Sequence, residues 1–591
     1  MRAVSLPRFL ALTALAAVAA CAAHAQAVDE DAAARVTALA DAYVAAYFEA
    51  FPHHATLLGV ADAPHDRLPD ISAAARERWH RREEQFLAEL EAIEPAALPP
   101  DHPAAVTHAF LTEILRNELA YRVCRMWLWN VSPTWTGWQS EMAVLADSQP
   151  LATAAAADAA YRRFAELPRY LEQEIANLRA GLAAGYSAPR GNVEAVLRQM
   201  DALLAAPVDE SPFAAMAADA PGNLAERMRA LETNAIRPAI ARYRDFLRDE
   251  YLPAARAAVG VDAHPEGDDC YRAAVRYHAT LDLSGEEIHR IGLEQMAAIH
   301  EEIRAIAARG FGGDEPTEVL ARLRDEPRYW FASREQMLET ARAAVARAAA
   351  ASREWFGRVP RAAVVVEPFP AFSEASAPGG LYNAPAEDGS RPGIYYINLR
   401  EAERTSRAGL EATAFHETYP GHHLQVGLAL EHAGLHAVTR YFYSSGFAEG
   451  WGLYAERLAD EMGLYSSDVD RLGLLSNEAL RAARLVVDSG LHALGWTREQ
   501  AIDYMLANTA ESEASVAAEV DRYIAVPGQA TAYMLGNLEI RRLREAAEER
   551  LGDAFDVRAF HDAVLEDGAV PLSMLRRKME RWIAAQAEAR R

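Results

Sequence analysis

From Asp29 to about Ala350 apolar residues recur at three- and four-residue spacing, as in Tyr170 to Leu182 and Glu286 to Ile306. That period places them on one face of an α-helix and gives a strand no consistent inside. Breaks such as Pro99-Pro100 and Gly310-Phe311-Gly312-Gly313 end one helix before the next begins. Between Ala362 and Leu399 the pattern changes. Ala363 to Glu367 and Ile394 to Asn398 are β-branched and aromatic, and the second follows the turn-rich Asp388-Gly389-Ser390-Arg391-Pro392-Gly393. A short antiparallel β element is predicted there. Helical spacing resumes at Glu401 and persists to Arg590, with loops at Gly463 to Ser467 and Pro527-Gly528. No internal repeat or linker divides residues 26–591, so the expected fold class is mainly α. It forms one large unit, with 26–350 as helical scaffold and 360–591 as the part carrying chemistry.

The charge inventory excludes several functions. Lys+Arg number 60 against 85 Asp+Glu, a net charge of −25, which lacks the positive footprint that nucleic acid or anionic lipid requires. No nucleic-acid partner is expected. Lys578 is the single lysine, so no G-x-x-x-x-G-K-[ST] phosphate loop exists. G-x-S-x-G and G-x-G-x-x-G are absent as well, against serine-hydrolase and dinucleotide chemistry.

The N-terminus reads as an export signal. Arg2 and Arg8 precede an apolar run from Phe9 to Ala23, of secretory rather than membrane-spanning length. Residues 1–25 would be removed after Ala23-His24-Ala25. Alternatively Val18-Ala19-Ala20-Cys21 acts as a lipobox and Cys21 carries a lipid anchor. No transmembrane span is expected after signal removal, and the destination is the periplasm or, for a lipoprotein, the outer membrane. Cys124 and Cys270 would then occupy an oxidising compartment, where a disulfide or two thiols are both open readings.

The chemistry concentrates in Phe415-His416-Glu417-Thr418-Tyr419-Pro420-Gly421-His422-His423. In H-E-x-x-H the histidines lie one helical turn apart, about 6 Å along the axis, and share one Zn²⁺ while the glutamate faces water. Here the fourth position after His416 is Pro420. On a straight helix His422 would point about 120° away from His416. Pro420-Gly421 can interrupt the helix, because proline lacks a donor and glycine permits a wide turn. His416 and His422 are therefore the expected ligands and Glu417 the base. His423 is expected as a second-layer or substrate contact, or as the alternative ligand. Glu449, 27 residues beyond His422 on Gly446 to Glu456, supplies a third ligand from a separate helix, with Gly450 and Gly452 permitting close approach. Glu456 and Asp460 continue its face and could orient a ligand imidazole. A histidine cluster at a helix end with no metal is the competing reading.

These stretches, with Asp388 to Gly393, Asp488-Ser489-Gly490-Leu491-His492 and Pro527-Gly528-Gln529-Ala530 with Tyr533, resemble the bacterial family known as domain of unknown function 885. The resemblance runs from about residue 30 to the end. It implies a helical, zincin-like relative of the gluzincin metallopeptidases, with carboxypeptidase Taq and thimet oligopeptidase as architectural analogues. In those enzymes a glutamate ligand follows the HExxH helix, which supports Glu449. The resemblance also implies that Tyr533 serves the oxyanion, while His492, four after Asp488, either makes a similar contact or forms a hydrogen-bonded structural couple with Asp488.

The expectation is an exported hydrolase using Zn²⁺, or another divalent cation, on a peptide or small amide substrate. Non-peptide amides or esters, and a non-catalytic peptide- or partner-binding envelope protein, are the alternatives. A carboxypeptidase would need a cation for the terminal carboxylate, and with one lysine that cation must be arginine or histidine. Arg481, Arg484 and Arg541 are the candidates.

Overall fold

A computed structural model describes the backbone over residues 9–589 except 61–62, 99–101, 312, 371–373, 375–377 and 387–390, and side chains from Glu30 onward. Pro99-Pro100 and the start of the 388–393 turn lie outside the described residues, as do the side chains of Cys21 and of the signal cleavage site. The chain is mainly helical, with one three-stranded sheet among the described residues.

The N-terminal part contains α1 (Phe9–Ala50), α2 (Pro52–Leu57), α3 (Ala73–Glu91), α4 (Pro103–Tyr121) and α5 (Trp138–Asp147). Further helices run to Ala254. Next come α6 (Gly267–Ala279), α7 (Gly285–Ala307) and α8 (Arg334–Trp355), then β1 (Val364–Pro368), β2 (Gly380–Asn383) and β3 (Gly393–Ile397). The C-terminal part holds α9 (Leu410–Glu417), α10 (His422–Glu431), α11 (Ser445–Glu461), α12 (Asp468–Ala493), α13 (Glu513–Ala525), α14 (Ala532–Leu551) and α15 (Leu572–Glu588). Local chemistry starts these helices where they start. Ser284 and Glu287 form a reciprocal capping box on α7, and Ser444 Oγ accepts from the Phe447 N–H to open α11.

The sheet departs from expectation. Its order is β1-β3-β2, and the two sequence-predicted strands, β1 and β3, pair in parallel. The antiparallel partner of β3 is β2. β2 runs opposite to both β1 and β3, so β3, reached from β1 by way of β2, comes back in the direction of β1, as a parallel pair requires.

Among the described residues three large apolar cores organise the helices, beside a small fourth around Val36 and Ile93. One joins Tyr43, Phe86 and Phe110 to Phe415, Trp451 and Phe560. It therefore crosses the expected division between scaffold and chemistry. A second gathers α6, α7, α12 and α13, with Ile299, Leu475 and Tyr523 buried. The third, from Val131 to Ala255 with Leu68 added, is a helical bundle of its own. Cys124 and Cys270, in the second core, form a disulfide. Among the described residues no helix is long and apolar enough to cross a membrane.

Candidate functional site

α9 stops at Glu417 and α10 starts at His422, so the intervening residues are not helical. The Tyr419-Pro420 bond is cis, and the Gly421 N–H reaches back to Phe415 O at 3.0 Å. A Cβ on residue 421 would sit 1.9 Å from His416 O, which leaves glycine alone able to close this turn. The Trp451 indole N–H on α11 donates to Pro420 O at 3.0 Å and ties the turn down.

This interruption turns His422 toward His416, with ring centroids 4.6 Å apart. Glu449 of α11 completes the group: its Oε2 lies 3.5 Å from His416 Nε2 and 3.9 Å from His422 Nε2. Donor atoms of all three fall within 4.8 Å of one another. Two ligands about 2.1 Å from one tetrahedral cation lie about 3.4 Å apart, so these spacings suit a shared ion better than direct hydrogen bonds. α11 comes this close because residue 452 is glycine; a Cβ there would be 2.4 Å from His416 Cε1.

Glu456, two turns along α11 from Glu449, holds His416 Nδ1 at 2.8 Å. A carboxylate on Nδ1 fixes the tautomer that leaves Nε2 free toward Glu449. Asp460 instead pairs with Arg471 at 2.8 Å. The site is strongly polarised. Burial depresses His416, but Glu449 and Glu456 outweigh it and raise the imidazole to about 10. Burial raises the Glu449 carboxyl, yet His416 and His422 bring it down to about 2. His422 is lowered to about 4 by burial and by the His416 charge. Glu417 is raised to about 7, by burial first and then by Glu449 and Glu456, against the pull of His416 and Arg481.

These groups open onto a cavity of about 1110 Å³. His416, Glu417, His422, Glu449, Tyr533, Arg481 and Arg484 all line it. Arg484 stacks over the Tyr533 ring at 4.4 Å while its Nη2 meets Glu519 at 3.0 Å. The guanidinium of Arg481 bonds to Asn477 O at 3.2 Å and leaves its Nε unpartnered. Edge strand β2 brings Gly380, Leu381 and Tyr382 to one wall.

Three expected residues lie elsewhere. His423 faces away from His416: its Nε2–H donates to Ala362 O at 3.0 Å and its Nδ1 accepts from the Tyr382 hydroxyl at 2.9 Å. Both nitrogens are used, so it is a strut beneath the cavity wall rather than an alternative ligand. His492 is fully buried, accepting from the Val261 N–H and donating to Tyr523 O. It does not line the cavity and has no donor left for an oxyanion. Asp488 likewise serves structure, accepting from the Tyr271 hydroxyl and the Gly528 N–H. Arg541 lies 3.8 Å from Glu478, away from the cavity. Conversely Leu58, Trp135, Arg440, Tyr443 and Arg522 line the cavity without having been singled out in the sequence. No local motif marks them, and the first two flank the N-terminal helices α2 and α5.

The family model described as "Bacterial protein of unknown function (DUF885)" matches residues 52–579. The chain belongs to this family. Among solved structures, one described as a "putative lipoprotein" from Colwellia psychrerythraea superposes with a TM-score of 0.86 at 29% identity, covering 94% of this chain and 99% of that one. A second, a "putative lipoprotein of unknown function" from Shewanella oneidensis, has a TM-score of 0.75 at 17% identity, covering 92% and 99%. The family fold is thus shared along nearly the whole chain. No curated protein matches it.

Proposed function

We propose that this family member is an exported, zinc-dependent hydrolase of peptide bonds, gluzincin-like in its ligand set. The observation that carries the reading is the convergence of His416, His422 and Glu449 beside Glu417 on one large cavity. Two imidazoles and a carboxylate, one imidazole held from behind by Glu456, suit a catalytic divalent site that keeps a position open. When bound there, Zn²⁺ supplies Lewis acidity toward a water and toward the carbonyl of the bond to be broken.

The remaining work falls to side chains. Glu417, which directly follows the ligand His416 and lines the cavity, is placed to take a proton from the attacking water and pass it to the leaving amine. The Tyr533 hydroxyl donates to the developing oxyanion, a contact worth about 3 kcal/mol when well placed. The free edge of β2 offers backbone groups to an extended peptide. Export fits the apolar N-terminal run, and the relatives described as lipoproteins support an envelope location with a lipid on Cys21.

The test is metal analysis of the purified chain together with digestion of a defined peptide library, read by mass spectrometry. Bound Zn²⁺ is expected, with cleavage that falls at least about 100-fold in Glu417→Gln while the metal stays. Cleavage that survives Glu417→Gln, or a chain that takes up no divalent metal, would overturn the reading.

A further inference from the structure

A second histidine-glutamate cluster stands apart from the cavity. His53 and His54 lie on α2 and Glu141 on α5, and none of the three lines the cavity. Glu141 Oε1 is 3.2 Å from His53 Nε2 and 3.7 Å from His54 Nε2. The longer gap exceeds a hydrogen bond, and both are close to the separation of about 3.4 Å between two ligands of one tetrahedral cation. The donor atoms of the three residues fall within 4.8 Å of one another, as they do at His416, His422 and Glu449.

The surroundings favour ligation over a plain polar contact. The Tyr47 hydroxyl meets His54 Nδ1 at 2.6 Å, and with that nitrogen as donor the Nε2 lone pair is left facing the carboxylate. Two acceptors aimed at one another need a proton or a cation between them. His53 is buried, and among the described residues its Nδ1 has no hydrogen-bond partner, so its polar engagement there is toward Glu141. The His54 and Glu141 side chains are 34% and 27% exposed, which leaves a route for an ion.

We propose that His53, His54 and Glu141 form a second metal centre, taking a divalent first-row cation of the kind imidazole prefers, such as Zn²⁺. Its place suggests what it does. Leu58 directly follows α2, Trp135 lies just before α5, and both stand on the cavity wall as exposed apolar side chains. An ion joining α2 to α5 fixes these two rim residues relative to each other, a positioning role independent of the chemistry at Glu417.

The test uses the full chain, stripped by chelator and titrated with Zn²⁺ alone, with stoichiometry read by equilibrium dialysis and metal analysis. Glu141→Gln keeps the side-chain shape and is expected to remove one equivalent from the otherwise native chain, whatever the first cluster holds. His416→Ala/His422→Ala is expected to retain one equivalent, which His54→Ala then weakens at least tenfold. Unchanged stoichiometry in Glu141→Gln would overturn the proposal. So would a folded His416→Ala/His422→Ala chain that takes up no Zn²⁺.

Discussion

Gly452→Ala isolates the packing on which the first cluster depends. Within a helix, alanine is ordinarily more favourable than glycine by about 1 kcal/mol. Here the new methyl would lie 2.4 Å from His416 Cε1, 2.6 Å from Nε2 and 2.8 Å from Nδ1. Carbon atoms prefer about 3.5–4.0 Å, so the imidazole or α11 must shift by about 1 Å. The ring cannot move freely, because Glu456 holds its far nitrogen at 2.8 Å and its surroundings are buried. Overpacking of this kind costs about 1–3 kcal/mol, and a contact this short belongs at the upper end, for a net loss near 2 kcal/mol. Urea unfolding followed by circular dichroism reads the stability. Zinc affinity, measured by chelator competition, should fall about 10- to 100-fold as the donor spacing is disturbed. Gly191→Ala is the control: its Cβ meets nothing within 4 Å in helix Arg190–Ala205, so stability should hold or rise. If Gly452→Ala matches Gly191→Ala in both measurements, the close approach of α11 to His416 is not what shapes the site.

Reduction, or Cys124→Ala/Cys270→Ala, opens a loop of 146 residues and should cost about 2–5 kcal/mol, seen as a lower melting temperature with dithiothreitol; no shift would mean the bond carries no stability. Burial lowers His492 to about 3, below its ordinary value of 6.5, so the folded state disfavours its protonation. Its contribution is therefore full above pH 6.5 and lost as pH falls toward 3; His492→Asn should flatten that part of the stability profile, and an unchanged slope would contradict the assignment. Arg481→Ala should raise KM for peptides with free C-termini and leave C-terminally amidated ones unaffected. Equal effects on both would remove Arg481 as a carboxylate clamp.

Legibility followed distance along the chain. His416, Glu417 and His422 could be related because Pro420-Gly421 announces an interruption between them, and Glu449 and Glu456 because seven residues are two turns of one face. His492 and His423 looked equally chemical. Only the fold shows that backbone groups from Val261, Tyr523 and Ala362, with the Tyr382 hydroxyl, consume their nitrogens. The pairing of β1 with β3 was unreadable for a related reason. Strand composition identifies a strand but not its direction relative to a neighbour, and the β2 segment that settles it carries little β-branched character. Leu58, Trp135 and the His53, His54, Glu141 group depend on contacts between segments with no shared motif.

The disulfide has a topological consequence. Cα atoms of Cys124 and Cys270 are 4.5 Å apart, and the third core lies between them in sequence except for Leu68. Residues 124–270 are therefore a covalently closed ring inserted into a host chain, and the ring also rests on residues 52–71 of that host, where Arg163 donates to Arg67 O and Asn177 to Ile71 O. Glu141 belongs to the ring and His53 and His54 to the host. Two of the fastenings of this Trp135-bearing ring thus differ in chemistry. One answers to the redox state of the compartment and the other to its supply of metal, so two features of the environment bear on the same wall of the cavity.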